Sequence, residues 1–153
     1  MMRPRLVGVV AVTFAIAVLG ALGCSSSTGP DEFTGRYDLE RYEGQTLPAV
    51  TFQSSAGESF VVAQRIILGD NGNGVITSTL RTVQLQPPRD ETFPVARPVT
   101  FTVSGTRIEI TYICPPNADC IAGPHLVGER SGNSLVLAWP ASSKPASVYK
   151  RIG

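Results

Sequence analysis

The groups able to do chemistry in this 153-residue chain are few. There are three thiols, Cys24, Cys114 and Cys120, and one histidine, His125. Nucleophilic catalysis needs a serine or cysteine beside a base that a third group orients, and no Gly-x-Ser-x-Gly elbow is present. Following Gly123-Pro124, His125 therefore reads as the residue that opens a strand, its ring at the surface or rim. Paired acids occur at Asp31-Glu32, Asp38/Glu40 and Asp90-Glu91. Asp38 and Glu40 lie two apart on a strand and so share a face, the arrangement of a hydrolase pair. Their alternation with Tyr37 and Leu39 makes that face a solvated one. GDNGNG, residues 69–74, offers oxygens from Asp70, Asn71 and Asn73. Calcium takes six to eight oxygens and a distal glutamate is missing, so a plain turn is expected there. No catalytic residue, metal site or cofactor is expected.

Cys24 has a different setting. Arg3 and Arg5 precede an apolar stretch, Leu6 to Leu22, broken only by Thr13. A basic end, an apolar middle and small edge residues make a secretory signal peptide, slightly short for a membrane span of about 20 residues. Gly20-Ala21-Leu22-Gly23-Cys24 resembles the lipobox of bacterial lipoproteins, with Ala21 where leucine is commonest. The resemblance implies a diacylglycerol on the Cys24 sulfur, cleavage just before it and an acylated new amino end. Ser25 after the cysteine, rather than aspartate, implies delivery to the outer membrane, facing the periplasm. An ordinary cleaved signal with a spare cysteine and an uncleaved anchor helix are the alternatives. Several acyl chains, each at about 0.8 kcal/mol per buried methylene, give a lasting anchor.

The chain then divides into a signal peptide at 1–23, a polar Ser/Gly/Pro tether at 24–32 and one domain at 33–153. As a flexible coil the tether spans about 15 Å. Without residues 1–23, 130 of the 153 residues remain, enough for one domain. The thirteen basic residues lose Arg3 and Arg5, leaving eleven against twelve acidic ones. A nucleic-acid partner would leave a basic patch, and none is present beyond a small cluster at Lys144, Lys150 and Arg151. In an exported domain Cys114 and Cys120, in ICPPNADC, are expected to form a disulfide, which stabilises by about 2–2.5 kcal/mol in the chain-entropy model. A metal site would need more ligands than His125 adds.

The elements that must position these groups are strands. No segment keeps a helical period, and short β-branched and aromatic runs alternate with turn residues about every ten positions. In VTFTV, Val99, Phe101 and Val103 face one way. In RIEITYI, Ile108, Ile110 and Tyr112 oppose Arg107, Glu109 and Thr111, and Ser104-Gly105-Thr106 turns between the two runs. Ser131-Gly132-Asn133 repeats the device between HLVGER and SLVLAW, and SVYKRI closes the chain. RYDLERYEG is a strand, and SFVVAQRIIL is apolar enough to be buried on both faces. QPPRDETFP carries too many prolines for a central strand and is expected to be a loop or an edge. Eight or nine strands result. The fold expected is all-β, an antiparallel up-and-down barrel of about eight strands, with a β-sandwich as the alternative.

Phe33 to Pro48 carries Gly35-x-Tyr37-x-Leu39 and then Gly44-x-x-Leu47-Pro48. With the hairpin at 99–112, SGNSLVLAW and the ending Val148-Tyr149-Lys150-Arg151, this resembles small lipocalin-like envelope lipoproteins of bacteria. In lipocalins a tryptophan follows the first-strand glycine and stacks on a late arginine. Tyr37 stands in its place, with Arg151 or Arg130 as the partner the resemblance implies. An eight-stranded barrel either fills with side chains or holds one small ligand. Tyr37, Phe60, Phe101, Tyr112 and Trp139 are the aromatics that would pack such a core or line such a pocket. The barrel class favours a non-catalytic module for a small apolar ligand, with Tyr37, Phe101, Tyr112 and Trp139 as the candidate contacts. A filled barrel acting on an envelope protein through its surface is the alternative.

Overall fold

A computed structural model describes residues 30–116, 118 and 125–153. A turn of 3-10 helix (Pro30–Glu32) leads into ten strands: β1 (Gly35–Tyr42), β2 (Gln45–Thr46), β3 (Ala49–Ser54), β4 (Gly57–Leu68), β5 (Asn73–Leu85), β6 (Pro88–Ser104), β7 (Arg107–Tyr112), β8 (Leu126–Ser131), β9 (Ser134–Ala138) and β10 (Ser147–Ile152). Every pairing between them is antiparallel. From β4 to β10 each strand bonds its neighbour in sequence, and β1 bonds both β10 and β4. That double pairing closes an eight-stranded up-and-down barrel, so the sandwich alternative falls away. The signal peptide, Cys24 and most of the tether lie outside the described residues.

Alternation fills the barrel. Tyr37 and Leu39 of β1, Ile76 of β5, Val99 and Phe101 of β6, Ile108 and Ile110 of β7, Leu135 and Leu137 of β9 and Tyr149 of β10 are all buried. Each such side chain contributes about 1.5–3 kcal/mol relative to exposure. Gly105, at φ 60°, sits in the two-residue turn between β6 and β7, where a left-handed backbone is required.

One expectation needs correction. The run SFVVAQRIIL is not buried on both faces, since Ile67 is exposed. A bulge between Val61 and Ala63 shifts the register of β4 against β5. Val61 points inward before the bulge, and Ile66 and Leu68 point inward after it. The switch of parity makes a half-buried strand look apolar throughout. Of the loop or edge expected at QPPRDETFP the structure shows the edge: Gln86 and Pro87 form a turn, and β6 runs from Pro88, paired with β5 as far as Thr100. The edge character is present, because β7 joins β6 only from Val99 onward. Over residues 88–98 β6 has one partner, and there a proline without an N–H is tolerated.

Beyond the barrel wall, β3 and the adjoining parts of β4, β5 and β6 continue as a flared sheet. Val61, Leu80 and Phe93 are successive cross-strand partners, so the inner face of the barrel continues out along this flare.

Candidate functional site

The two ends of the barrel are built differently. At the end where the chain enters, Phe33 and Tyr37 are fully buried, and the Tyr37 phenol donates to the Phe33 carbonyl at 2.9 Å. Tyr37 is the cross-strand partner of Arg151, whose Nη2 donates to the Thr34 carbonyl at 2.6 Å. A Cβ at Gly35 would lie 2.9 Å from Arg151 Nε, so this glycine makes room for the guanidinium. Arg130 donates through Nη1 to the Glu32 carbonyl and through Nε to the Gly132 carbonyl at 3.0 Å. Burial pushes the Tyr37 phenol above its ordinary pKa, although both arginines pull the other way. This end is a plug whose polar groups are satisfied.

The opposite end is a mouth. Tyr42, Gln64, Arg97, Tyr112 and Trp139 surround a cleft of about 130 Å³ there, floored by Val61 and Ile76. A second recess of about 50 Å³ lies deeper, against Tyr149 and Leu137. An engineered apolar cavity of about 150 Å³ holds a benzene ring, so the larger cleft is of single-ring size. Outside the barrel a groove of about 430 Å³ runs past Ala96, Pro98, Ile113, Pro115 and His125, and it shares Arg97, Tyr112 and Trp139 with the cleft.

Tyr112 is the hub of the mouth. Arg97 lies over its ring at 5.4 Å from the centroid, a cation–π contact. His125 meets it edge-on at 4.9 Å, and Trp139 stands 6.3 Å away, tilted by 46°. Nδ1 of His125 accepts from the Tyr112 backbone N–H at 3.3 Å, which fixes the histidine at the rim. Deeper in, the Tyr149 phenol donates to Gln64 Oε1, and Gln64 Nε2 donates to Ser78 Oγ at 2.6 Å. Burial drives the Tyr149 phenol far above its usual pKa, and the Tyr112 and Tyr42 phenols add to the shift. The loop between β9 and β10 is strapped across this side, with Lys144 Nζ 2.6 Å from Glu43 Oε2 and the Glu43 N–H donating to Ser147 Oγ at 3.0 Å.

Of the four candidate contacts, the structure brings Tyr112 and Trp139 together at the mouth. Tyr37 belongs to the plug at the far end. Phe101 is 6% exposed and packs in the core, and Phe60, next to Val61 along β4, turns to the other face. Arg151 and Arg130 do lie by Tyr37, and among the described residues the arginine seated over an aromatic ring is Arg97, on Tyr112. Tyr42, Gln64, Arg97 and Tyr149 were not expected at a site.

The other motifs resolve simply. Asp38 is held by Arg65 at 2.6 and 3.0 Å, and that hydrogen-bonded guanidinium keeps its carboxyl below the usual range. Glu40 pairs with Lys150, Asp90 with Arg81 and Glu91 with Arg89, all on the solvent side. In GDNGNG the Gly69 N–H donates to the Asn73 carbonyl and Asn71 Oδ1 accepts from the Asn73 N–H, so the turn is held by its own bonds. Among the described residues no three of histidine, cysteine, aspartate and glutamate are grouped as metal ligands. Cys114 is disulfide-bonded, and Cys120 lies outside the described residues. Compared with known proteins, the chain matches no family model, no curated protein and no solved structure.

Proposed function

We propose that this chain is a lipid-anchored lipoprotein of the bacterial envelope, held at the outer membrane through Cys24 and facing the periplasm. Its barrel is a non-catalytic binding module for one small, mainly apolar molecule. The observation that carries the reading is the ring-sized cleft of about 130 Å³ at the mouth, walled by Tyr42, Tyr112 and Trp139. Arg97, Gln64 and the phenols give directed polar contacts around an apolar floor, the usual makeup of a small-molecule site. A tether joined at the plugged end leaves the mouth pointing away from the membrane.

A second reading, a lipoprotein acting on an envelope protein, is favoured by the flare. Phe52 is 61% exposed and Phe93 40%, and cross-strand pairing puts both on the mouth-facing side. Native mass spectrometry of the mature chain carrying Cys24→Ser, exported and purified without detergent, separates the two. A reproducible extra mass that leaves on denaturation is expected for the binding module. A clean apo mass, with cross-links from the flare to another protein, would replace it by the second reading. The same spectrum is expected to show a chain two hydrogens lighter than fully reduced, the mark of a Cys114–Cys120 bridge.

A further inference from the structure

The described chain carries eleven arginines and lysines, and seven of them stand in ion pairs: Arg65, Arg81, Arg89, Arg107, Arg130, Lys144 and Lys150. Arg97 is not among these. It lies on the inner-face register of β6, two residues before Val99 and four before Phe101, and it lines both the ring-sized cleft and the outer groove. Among the described residues the one carboxylate on these three hollows is Glu43, already paired with Lys144. The mouth thus holds, among the described residues, one fixed positive charge that no carboxylate pairs.

The Arg97 guanidinium lies over the Tyr112 ring and shares a hydrogen bond with its phenol, and its remaining N–H edge can meet a planar acceptor. A carboxylate matches that edge with two parallel bonds, which a lone hydroxyl cannot do. Tyr112 and Trp139 line the same cleft as this guanidinium and give an aromatic ring apolar surface to pack on. Resting on the binding reading above, we propose that the mouth selects a small aromatic carboxylate, with its ring in the cleft against Tyr112 and Trp139 and its carboxylate on Arg97.

Trp139 is the only tryptophan, so intrinsic fluorescence reports on this site alone. The probes are 3-phenylpropionate and 3-phenylpropan-1-ol, matched in ring and chain and different in charge, titrated into the mature Cys24→Ser chain. The acid is expected to bind at least about tenfold more tightly than the alcohol, as a charge-assisted bond at a partly desolvated site gives. Arg97→Gln should collapse that ratio by weakening the acid far more than the alcohol, and Arg97→Lys should restore only part of it. An unchanged unfolding midpoint certifies the variants as folded. Equal Kd values for acid and alcohol in the parent chain would overturn the anion selection and leave the binding module standing. No response to either probe, with a different ligand retained in the native mass, would do the same. No response together with a clean apo mass would overturn both.

Discussion

The plug and the mouth are made from the same materials, tyrosine and arginine, and end up in opposite states. At the plug, Arg130 and Arg151 donate to the carbonyls of Glu32, Gly132 and Thr34, and Tyr37 donates to that of Phe33. Those bonds tie the entering chain across the barrel and leave the end shut. At the mouth the flare carries β5 and β6 outward, no strand crosses the opening among the described residues, and Arg97 rests on Tyr112. An arginine that meets backbone acceptors becomes structure, whereas one that meets an aromatic face keeps a charge to offer. Burial separates the ends in the same way: Tyr37 is fully buried, while Trp139 is 39% exposed.

The largest expected difference is in stability. Tyr37→Ala removes a fully buried ring and is expected to cost about 3–5 kcal/mol in urea unfolding, as for other buried aromatics. Trp139→Ala at the exposed rim should cost under about 1 kcal/mol. Similar losses at the two ends would break the comparison.

Alkaline pH offers the next effect. All four tyrosines have raised pKa values, chiefly through burial, with Tyr149 shifted furthest. A raised folded-state pKa means that the native chain holds its proton longer than the unfolded chain. The associated stability is therefore complete below the unfolded value of about 10 and is lost as pH rises above it, at up to about 1.4 kcal/mol per pH unit for each tyrosine. Phenolate absorbance should stay flat for Tyr149 until the barrel opens. Ionisation of all four phenols in a chain that still shows native circular dichroism would contradict the buried placement.

Smaller effects sharpen the contrast. Tyr37→Phe keeps the packing and removes one hydrogen bond, and is expected to cost about 1–2 kcal/mol because the Phe33 carbonyl loses a buried donor. Arg97→Gln, exposed and without an ion pair among the described residues, should change stability by less than about 0.5 kcal/mol. Differential scanning calorimetry reads both. A stability loss for Arg97→Gln as large as for Tyr37→Phe would make Arg97 a structural arginine like those of the plug.

The barrel was legible in the sequence because its interior obeys simple alternation. Val99, Phe101, Ile108 and Ile110 could be placed on the inner face from their spacing, and they are buried. The site was half legible. Tyr112 continues the same alternation, and Trp139 follows the last strand residue Ala138. Tyr42 and Gln64 were hidden by bulges. In β1 the register slips between Leu39 and Arg41, so Tyr42 faces the mouth although plain alternation puts it with Asp38 and Glu40. The bulge in β4 does the same for Gln64. Arg97 was hidden by its neighbours, because Pro94 and Pro98 argue against a strand. A signal was present all the same: Val95, Arg97, Val99, Phe101 and Val103 form one unbroken odd series. An edge strand tolerates the prolines, and extending that series places Arg97 on the inner-face register, at the exposed rim.

The claim that one end is filled and the other receives a ligand is tested most directly by two-dimensional NMR of the mature Cys24→Ser chain during titration with 3-phenylpropionate and 3-phenylpropan-1-ol. Saturable shifts are expected at the Trp139 indole N–H and at the amides of Arg97, Tyr112 and His125. None is expected at Phe33, Tyr37 or Arg151. Shifts concentrated at the plug, or the absence of saturable shifts anywhere with either probe, would contradict the account.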